Sequence, residues 1–331
     1  PLEVKKFFLP GLRRAAKEEP IIEPVNPEKI LEEVNLVKES HLLFKSENYS
    51  VICAPTIEIP NVLTEIGRLR ETTFLDVGEG TNRGIDIDEF DLYYHQLFIW
   101  DDVANKMVGA YRVGKGKDIL KIHGIKGFYI QSLFKIDPDF QDTLIQSIEL
   151  GRSFIVKEYQ RKPMPLFLLW KGILYFLIKN PEYRYLIGPV SISNRFSQFS
   201  KTLIIKFLKK NYYNYELARL IKPRKEFKVL PKYDTDIVLE KMQDDVSKLD
   251  KLISDVEITN YRMPVLLKKY LKLNAKIIGF NIDPLFNDAL DGLIVLDLYE
   301  VPYDTITALS KEINDTSILD RFTDMEKATH L

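Results

Sequence analysis

The residues best suited to chemistry in this chain are charged side chains embedded in apolar sequence between positions 70 and 152. Burying a charge is unfavourable unless an opposite charge or several hydrogen bonds satisfy it. Several such charges in one segment therefore predict one polar network built around a site. Its members are Arg70, Asp88, Asp91, Arg112, Glu149 and Arg152.

The sequence around these charges predicts a sheet with helices packed on it. Apolar residues at helical spacing and short apolar runs between turn residues identify the elements. Strands joined by a hairpin turn at 101–106, followed by strand–helix–strand, indicate an α/β (α+β) fold with a mixed sheet. Helices are predicted over 28–40, 59–74, 165–179 and 262–274, strands over 48–55, 94–100, 107–113, 148–156, 185–190, 275–280 and 293–298, and a looser strand and loop over 124–134.

Composition excludes several classes of function. The chain has 331 residues, of which 45% are hydrophobic and 29% charged, so it can bury a full core. Its net charge of -1 argues against an electrostatic nucleic-acid binder, so no nucleic-acid partner is expected. The four histidines have no metal-ligand spacing, and no metal site is expected. Cys53 lies in an apolar run that predicts a buried structural thiol.

The sequence predicts a cytoplasmic protein. No signal peptide opens it, and its single cysteine suits a reducing compartment. The longest apolar stretch, 166–178, contains Lys171 and is too short to span a bilayer.

A strand, a basic loop and a long apolar helix follow one another over 154–178. Backbone N–H groups at a helix N-terminus, with Arg161 and Lys162 beside them, form a site for an anion such as a pyrophosphate or a phosphopantetheine phosphate. A solvated strand-to-helix turn is the alternative, and this segment alone favours the turn.

Four short patterns precede that loop, and together with it they carry a family resemblance. The chain resembles the GNAT-fold acyltransferases, in the branch of hemolysin-like, ornithine-lipid-type N-acyltransferases related to acyl-homoserine-lactone synthases. The resemblance covers roughly residues 45–300 and implies a mixed, mainly antiparallel sheet flanked by helices. The patterns are Arg70-x-x-x-Phe74, Asp88-x-x-Asp91, Gly109-x-Tyr111-Arg112 and Glu149-x-x-Arg152.

The two ends of the chain add to the resemblance. Residues 263–275 and 283–287 resemble the part of ornithine-lipid acyltransferases in which a helix, a strand and an Asp-containing loop close the acceptor side. The Pro-rich, charged start resembles the linker behind an O-acyltransferase domain in fused proteins. We therefore expect a linker and leading helix over 1–44, an N-acyltransferase domain over 45–302, and a C-terminal helix and tail over 303–331.

The resemblance implies that Glu149 and Arg152 are the catalytic pair, with Glu149 as general base. Transfer from a thioester to nitrogen needs a neutral amine, which a base provides. The equal alternative is that Glu149 only braces Arg152 or Arg112.

Four charges are expected to frame the acceptor amine. A pair of aspartates would attract a cationic amino acid. The alternative for this pair is a loop cap or a salt bridge to Arg70. The four residues are Arg70, Asp88, Asp91 and Arg112.

The acyl donor is expected to bind along the strand end and the basic loop. Backbone N–H groups near the strand end would meet the oxyanion of the tetrahedral adduct. No permanently bound cofactor is implied. The residues are Phe154, Ile155, Val156, Gln160, Arg161 and Lys162.

A basic segment over 201–232 contains ten Lys or Arg and interleaved aromatics. It could dock acyl carrier protein or the anionic inner face of a membrane, whereas a solvated basic surface is the default.

The function implied by the resemblance is N-acylation of an amino acid such as ornithine or glycine with a long acyl group, plain or 3-hydroxylated, from acyl carrier protein or coenzyme A. The product would be a lyso-aminolipid. A non-catalytic lipid- or carrier-binding module with the same fold is the alternative, and haemolytic activity is a poorer one.

Overall fold

A computed structural model describes residues 19–229, 235–258, 261–312 and 315–321. Within them, eight strands form one sheet and two short strands pair separately. In chain order the strands are β1 (Leu42–Ser46), β2 (Tyr49–Pro55), β3 (His95–Asp101), β4 (Lys106–Lys115), β5 (Phe134–Ile136), β6 (Ser147–Ile155), β7 (Tyr185–Ile192), β8 (Ile221–Pro223), β9 (Lys276–Asp283) and β10 (Ala289–Asp297).

Helices separate most of these strands along the chain, whereas β1 and β2, β3 and β4, and β9 and β10 follow one another directly. They pack on both faces of the sheet, as the distribution of the buried side chains shows. The helices of the described residues are α1 (Pro27–His41), α2 (Pro60–Val77), α3 (Gly116–His123), α4 (Ile130–Leu133), α5 (Gln141–Leu144), α6 (Pro163–Lys179), α7 (Gln198–Asn211), α8 (Tyr215–Ala218), α9 (Asp236–Met242), α10 (Val246–Val256), α11 (Val265–Lys272) and α12 (Tyr303–Glu312).

The order of strands across the large sheet is β1-β2-β3-β4-β6-β7-β10-β9. Every neighbouring pair is antiparallel except β6 and β7, which are parallel. The predicted mixed, mainly antiparallel sheet flanked by helices is therefore confirmed.

Successive strand residues pack on opposite faces of the sheet, as the pleat requires. On β2, Val51 joins the core under α6, whereas Ile52 joins the core under α1 and α2. Leu97 and Phe98 of β3 divide in the same way. The sheet thus has a covered face on each side, and side chains from either core can reach a site between strands.

The parallel strands β6 and β7 stay paired for only three residues, from Ser147↔Tyr185 to Glu149↔Ile187. Beyond that point both strands continue but no longer pair with each other. Residues from both then face one cavity. The separation opens a cleft in the middle of the sheet.

Gly188 lies where the two strands begin to separate, and a side chain would not fit there. A Cβ at this position would be 2.0 Å from the backbone oxygen of Leu150. We predict that Gly188→Ala lowers the free energy of unfolding by about 1–3 kcal/mol, since overpacking forces backbone shifts. Urea unfolding measures it. Gly151→Ala, with nothing within 4 Å of its Cβ, is the matched control on the facing strand. Equal losses in both variants would contradict the packing argument.

The structure differs from the sequence prediction in one segment that affects the site. Residues 124–134, predicted as a looser strand and loop, form a 3-10 turn (Gly124–Gly127) and α4 before the short β5. Gly124 has φ 63°, which ends α3 in a conformation that favours glycine. The turn directs the backbone N–H groups of Tyr129 and Ile130 toward β6.

Smaller differences concern the element ends. β1 begins at Leu42, inside the segment predicted as linker and leading helix. β10 begins at Ala289, four residues before the predicted start at 293. Across the ranges that the structure covers, no helix combines the length and apolar character needed to cross a membrane.

Candidate active site

Arg70 fastens the loop after α2 to that helix. The side chain is fully buried. Its Nη1 and Nη2 donate to the two carboxylate oxygens of Asp91 at 3.2 and 2.9 Å. Its Nε lies 2.9 Å from Oδ2 of Asp86, and Nη2 also donates to the Asp86 backbone oxygen. A paired, bidentate arginine of this kind fixes geometry, so Arg70 holds the loop in place.

Arg112, on β4, is the second buried arginine of the network. Its Nη1 lies 2.5 Å from Oδ1 of Asp88 and 3.3 Å from Oδ2 of Asp91. The guanidinium also stacks over aromatic rings, which stabilises a buried cation. The rings are those of Phe90, Tyr94 and Tyr129.

Both structural alternatives for the aspartate pair are present in the fold. Asp88 caps the 3-10 turn Glu89–Leu92, its Oδ1 accepting from the Phe90 N–H at 3.0 Å. Asp91 is the salt-bridge partner of Arg70. Burial alone would raise the pKa of Asp91, but Arg70 and Arg112 outweigh it and hold the pKa well below its ordinary value. The fully buried Asp91 is thus charged and already neutralised.

A β-bulge aims Arg152 out of the regular strand pattern. Arg112 pairs with Gly151 and Ala110 pairs with Phe154, so β6 has one residue more than β4 across this step. Arg152 takes up the extra length at φ 52°. A bulge re-aims a side chain and is common beside functional sites.

The Arg152 side chain joins the network to the cleft. Its Nε lies 3.2 Å from Oδ2 of Asp86, and Nη2 lies 3.6 Å from Oδ2 of Asp88. Its Nη1 donates to the Tyr129 hydroxyl at 3.2 Å. The side chain keeps 12% of its surface exposed, unlike the fully buried Arg70. Arg152 is thus the arginine of the network best placed to meet a substrate.

Glu149 is enclosed by donors. Its Oε2 accepts from the Tyr94 hydroxyl and from the Tyr129 N–H at 3.1 Å, and Oε1 accepts from the Ile130 N–H at 2.8 Å. Burial raises the pKa of Glu149 despite these donors and the nearby Arg112. Within the described residues it forms no ion pair within 4.0 Å with Arg152 or Arg112, so it holds the Tyr129 turn instead of bracing either arginine.

A first cavity, of about 740 Å³, fills the cleft between β6 and β7. One wall is the β6 segment 150–155, and the other is the β7 segment 186–191. The C-terminal end of α2 and the start of α11 close its sides. Its lining combines apolar side chains with a few converging polar groups, as ligand cavities usually do.

A second cavity, of about 1250 Å³, lies beside the loop that holds Asp86 and Asp88. The described residues that line both cavities are Tyr129, Arg152 and Asp283. The Tyr129 hydroxyl accepts from Arg152 and donates to Oδ2 of Asp283 at 3.2 Å, so these three form a hydrogen-bonded chain. The two cavities thus adjoin at these three residues.

Two of the three junction residues, Tyr129 and Arg152, lie in a segment that matches a known family. Residues 69–170 match the family described as Acetyltransferase (GNAT) domain. This part of the chain is similar to GNAT domains. The matched segment contains all six charges singled out from the sequence, together with β6 and its bulge.

Two relatives extend the similarity over most of the chain. A protein of Phocaeicola vulgatus named glycine N(alpha)-acyltransferase is 28% identical over 304 residues, which cover 86% of this chain and 90% of that protein. A protein of the same name from Bacteroides thetaiotaomicron is 29% identical over 297 residues, covering 86% of this chain and 87% of that protein.

Two solved structures share weaker likeness with this chain. The AHL synthase LasI is 12% identical with a TM-score of 0.39, covering 76% of this chain and 90% of that chain. The CoA-dependent AHL synthase BjaI, solved with SAM and isopentyl-CoA, is 10% identical with a TM-score of 0.40, covering 80% of this chain and 89% of that chain. Likenesses of this size do not establish a common substrate.

The fold brings most of the predicted donor residues to the first cavity. Phe154, Ile155, Gln160 and Lys162 line it. The Val156 N–H donates to the Val108 backbone oxygen at 2.9 Å, so this donor is not free to bind an oxyanion. Arg161 is exposed on the loop, and it is not among the described residues that line either cavity.

Sequence reasoning missed several carboxylates of the first cavity. Asp291 of β10 and Glu79, after α2, both line it. Burial raises the pKa of Asp291 to about 8 and that of Glu79 to about 7. Asp291 is the one charge inside the otherwise apolar run 289–296, which is the same signal that identified Glu149. Titratable groups shifted toward neutrality in a cavity are candidates for proton transfer.

Among the described basic residues of the segment 201–232, Lys201 is buried and Lys206 is half-buried, whereas the others are exposed. Lys201 is buried, and its Nζ donates to the Asn194 side chain at 2.9 Å. Lys206 donates to the Thr235 hydroxyl, and Lys225 pairs with Asp288 at 2.5 Å. Lys232 lies outside the described residues. Among the described residues no group of three His, Cys, Asp or Glu could hold a metal ion.

Proposed function

We propose that this chain transfers a long acyl group from a thioester to the α-amine of glycine. The observation that carries the proposal is the junction of two cavities at Tyr129, Arg152 and Asp283. Acyl transfer between two substrates needs such a meeting point, because proximity and orientation supply much of the rate. The name shared by the two relatives supports the glycine assignment.

The first cavity suits the thioester donor. Apolar side chains such as Leu166 and Ile294 line its depth, and cations line its edge. Those cations, Lys162, Arg195 and Arg262, suit the phosphates of an acylated phosphopantetheine arm. Acyl carrier protein and coenzyme A both carry that arm, so we propose acyl carrier protein as donor with coenzyme A as the alternative.

Charge balance favours a zwitterion over a dication as acceptor. The buried network contains three arginines and three aspartates, so Asp88 and Asp91 present no net negative charge. Ornithine carries an additional ammonium that this network would not compensate. Arg152 offers a cation for the carboxylate of glycine at the junction.

The proposal includes the predicted partner, acyl carrier protein, and the predicted location at the inner face of a membrane. A donor arm attached to acyl carrier protein would bring that protein to the basic loop at 160–162. A long-chain product would keep the enzyme on the inner face of a membrane, as the cytoplasmic, peripheral prediction states. The division at 44/45 and 302/303 and the fusion to an O-acyltransferase remain predictions.

An amine panel tests the proposed function. Purified protein is incubated with palmitoyl thioesters of acyl carrier protein and of coenzyme A, each with glycine, alanine or ornithine, and thiol release is followed. We expect glycine to give the highest kcat/KM, because arginines already neutralise the aspartates of the network. Faster release with ornithine would contradict the charge argument, and thiol release that no amine accelerates would contradict N-acylation.

A further inference from the structure

Asp291 is a buried, hydrogen-bonded carboxyl on the wall of the first cavity. It is 2% exposed and lies on β10 directly opposite Ser191 of β7. The Ser191 hydroxyl donates to its Oδ1 at 2.7 Å. The carboxyl is therefore held in one orientation against the cavity, as a proton-transferring group must be.

Asp283 lies beside Asp291 on the same face of the sheet. Residue 289 pairs with Asp283 and residue 291 pairs with Asn281, so the two carboxyls are diagonal neighbours on adjacent strands. Both line the first cavity, and Asp283 also belongs to the junction with the second. Asp291 is thus the diagonal neighbour of a residue that lines both cavities, where the proposed substrates would meet.

Glu149, the base that the resemblance implies, is placed less well for proton transfer. Both of its oxygens already accept hydrogen bonds, three in all. Glu149 is not among the described residues that line either cavity. Its contacts fix the turn that carries Tyr129, which is a positioning role.

We propose that Asp291, and not Glu149, is the general base that takes the proton from the acceptor ammonium at the cavity junction. This inference rests on the proposed function and names the residue that activates its amine. Ser191 orients the base, and the chain from Arg152 through Tyr129 to Asp283 fixes the acceptor beside it.

The proton and bond changes balance without another reactant. The Asp291 carboxylate takes one proton from the ammonium, and the neutral amine attacks the thioester carbon, forming the C–N bond. As the C–S bond breaks, the nitrogen loses a second proton and the leaving thiolate gains one. Asp291 then returns its proton to solvent, leaving amide and thiol.

The surroundings of Asp291 set the pH at which this base is active. Burial is the main cause that raises its pKa to about 8. The charges of Asp283 and Glu79 raise it further, whereas the Ser191 hydrogen bond and Arg152 lower it. The base form is the carboxylate, so kcat must rise with pH through about 8.

The test is the pH dependence of kcat at saturating glycine and acyl thioester. We expect the wild type to gain about tenfold per pH unit below this pKa and to level off above it. Asp291→Asn should lose the rising limb and turn over about 10²–10³-fold more slowly. In Ser191→Ala the rise of kcat should occur at higher pH, while most of the maximal kcat is kept. The reason is that this variant lacks the hydroxyl donor that stabilises the Asp291 carboxylate.

Asp297→Asn is the matched control on the same strand. Asp297 pairs with Arg184 at 2.5 Å, outside the described lining of either cavity, so this variant should keep the wild-type limb. Circular dichroism and thermal unfolding show that each variant is folded before its kinetics are compared.

The outcomes separate the two proposals. A rising limb that survives in Asp291→Asn but is lost in Glu149→Gln or Glu79→Gln overturns the assignment of the base while leaving the function standing. A wild type that releases no thiol with any thioester and amine overturns the proposed function and the inference together.

Discussion

Replacing Arg152 is expected to lower kcat/KM for glycine by about 10²–10³-fold, the size of effect seen when one pre-organised charge-stabilising donor is removed. Arg152 is the described cation that lines both cavities, and it orients Tyr129 through a hydrogen bond of 3.2 Å. Its removal takes away both the cation at the junction and the donor that positions Tyr129. Steady-state kinetics with varied glycine measures the loss.

Two substitutions at Arg152 distinguish the effect of its charge from the effect of its backbone conformation. Arg152 has φ 52°, a conformation that asparagine tolerates better than alanine, so Arg152→Asn is the preferred substitution. Arg152→Lys keeps the charge but not the fork of donors, and we expect it to recover only part of the activity. Arg184→Asn, at the Asp297 pair, is the control. An Arg152→Asn enzyme with wild-type kcat/KM would remove Arg152 from the site.

Replacing Arg70 by methionine is expected to lower the free energy of unfolding by about 3–5 kcal/mol, the cost of removing one partner of a buried ion pair. The variant leaves Asp91, fully buried, without the arginine that binds both its oxygens. Arg219→Met, at an exposed pair with Glu216, is the matched control and should cost less than about 1 kcal/mol. Urea unfolding of both variants measures the difference.

The loss in Arg70→Met should depend on pH. The pKa of Asp91 lies well below its ordinary value in the folded protein, so its contribution to stability is complete above the unfolded pKa of about 4 and is lost in acid. A protonated Asp91 no longer needs an arginine. The stability gap between variant and wild type should therefore narrow as the pH falls below about 4. A gap that stays constant down to pH 3 would show that Arg70 acts by packing alone.

The sequence was sufficient to find the buried network because each charge sits in its own apolar frame. Local spacing is enough to place Arg70 on a predicted helix and Arg112 at the end of a predicted strand. The same local signal was present at Asp291, but its importance arises only from pairing with Ser191 across two strands that are distant in the chain. Long-range register of this kind is not encoded in any single window of sequence.

The surroundings of Glu149 were beyond sequence reasoning for a related physical reason. The residues that enclose it come from a segment that lacks strong periodicity and was predicted as a looser strand and loop. Tertiary contacts turn that segment into a 3-10 turn and α4, which deliver the N–H groups of Tyr129 and Ile130. The bulge at Arg152 likewise depends on the register between β4 and β6.

The most direct test of the account is the product formed from ¹⁵N-glycine. The wild-type protein is incubated with palmitoyl thioester, ¹⁵N-glycine and an equal concentration of unlabelled ornithine, and thiol and lipid products are quantified by mass spectrometry. Acyl transfer at the junction predicts N-palmitoyl-¹⁵N-glycine as the main product, with one amide for each thiol released. Free palmitate in place of amide, or an unlabelled ornithine amide as the main product, would contradict it.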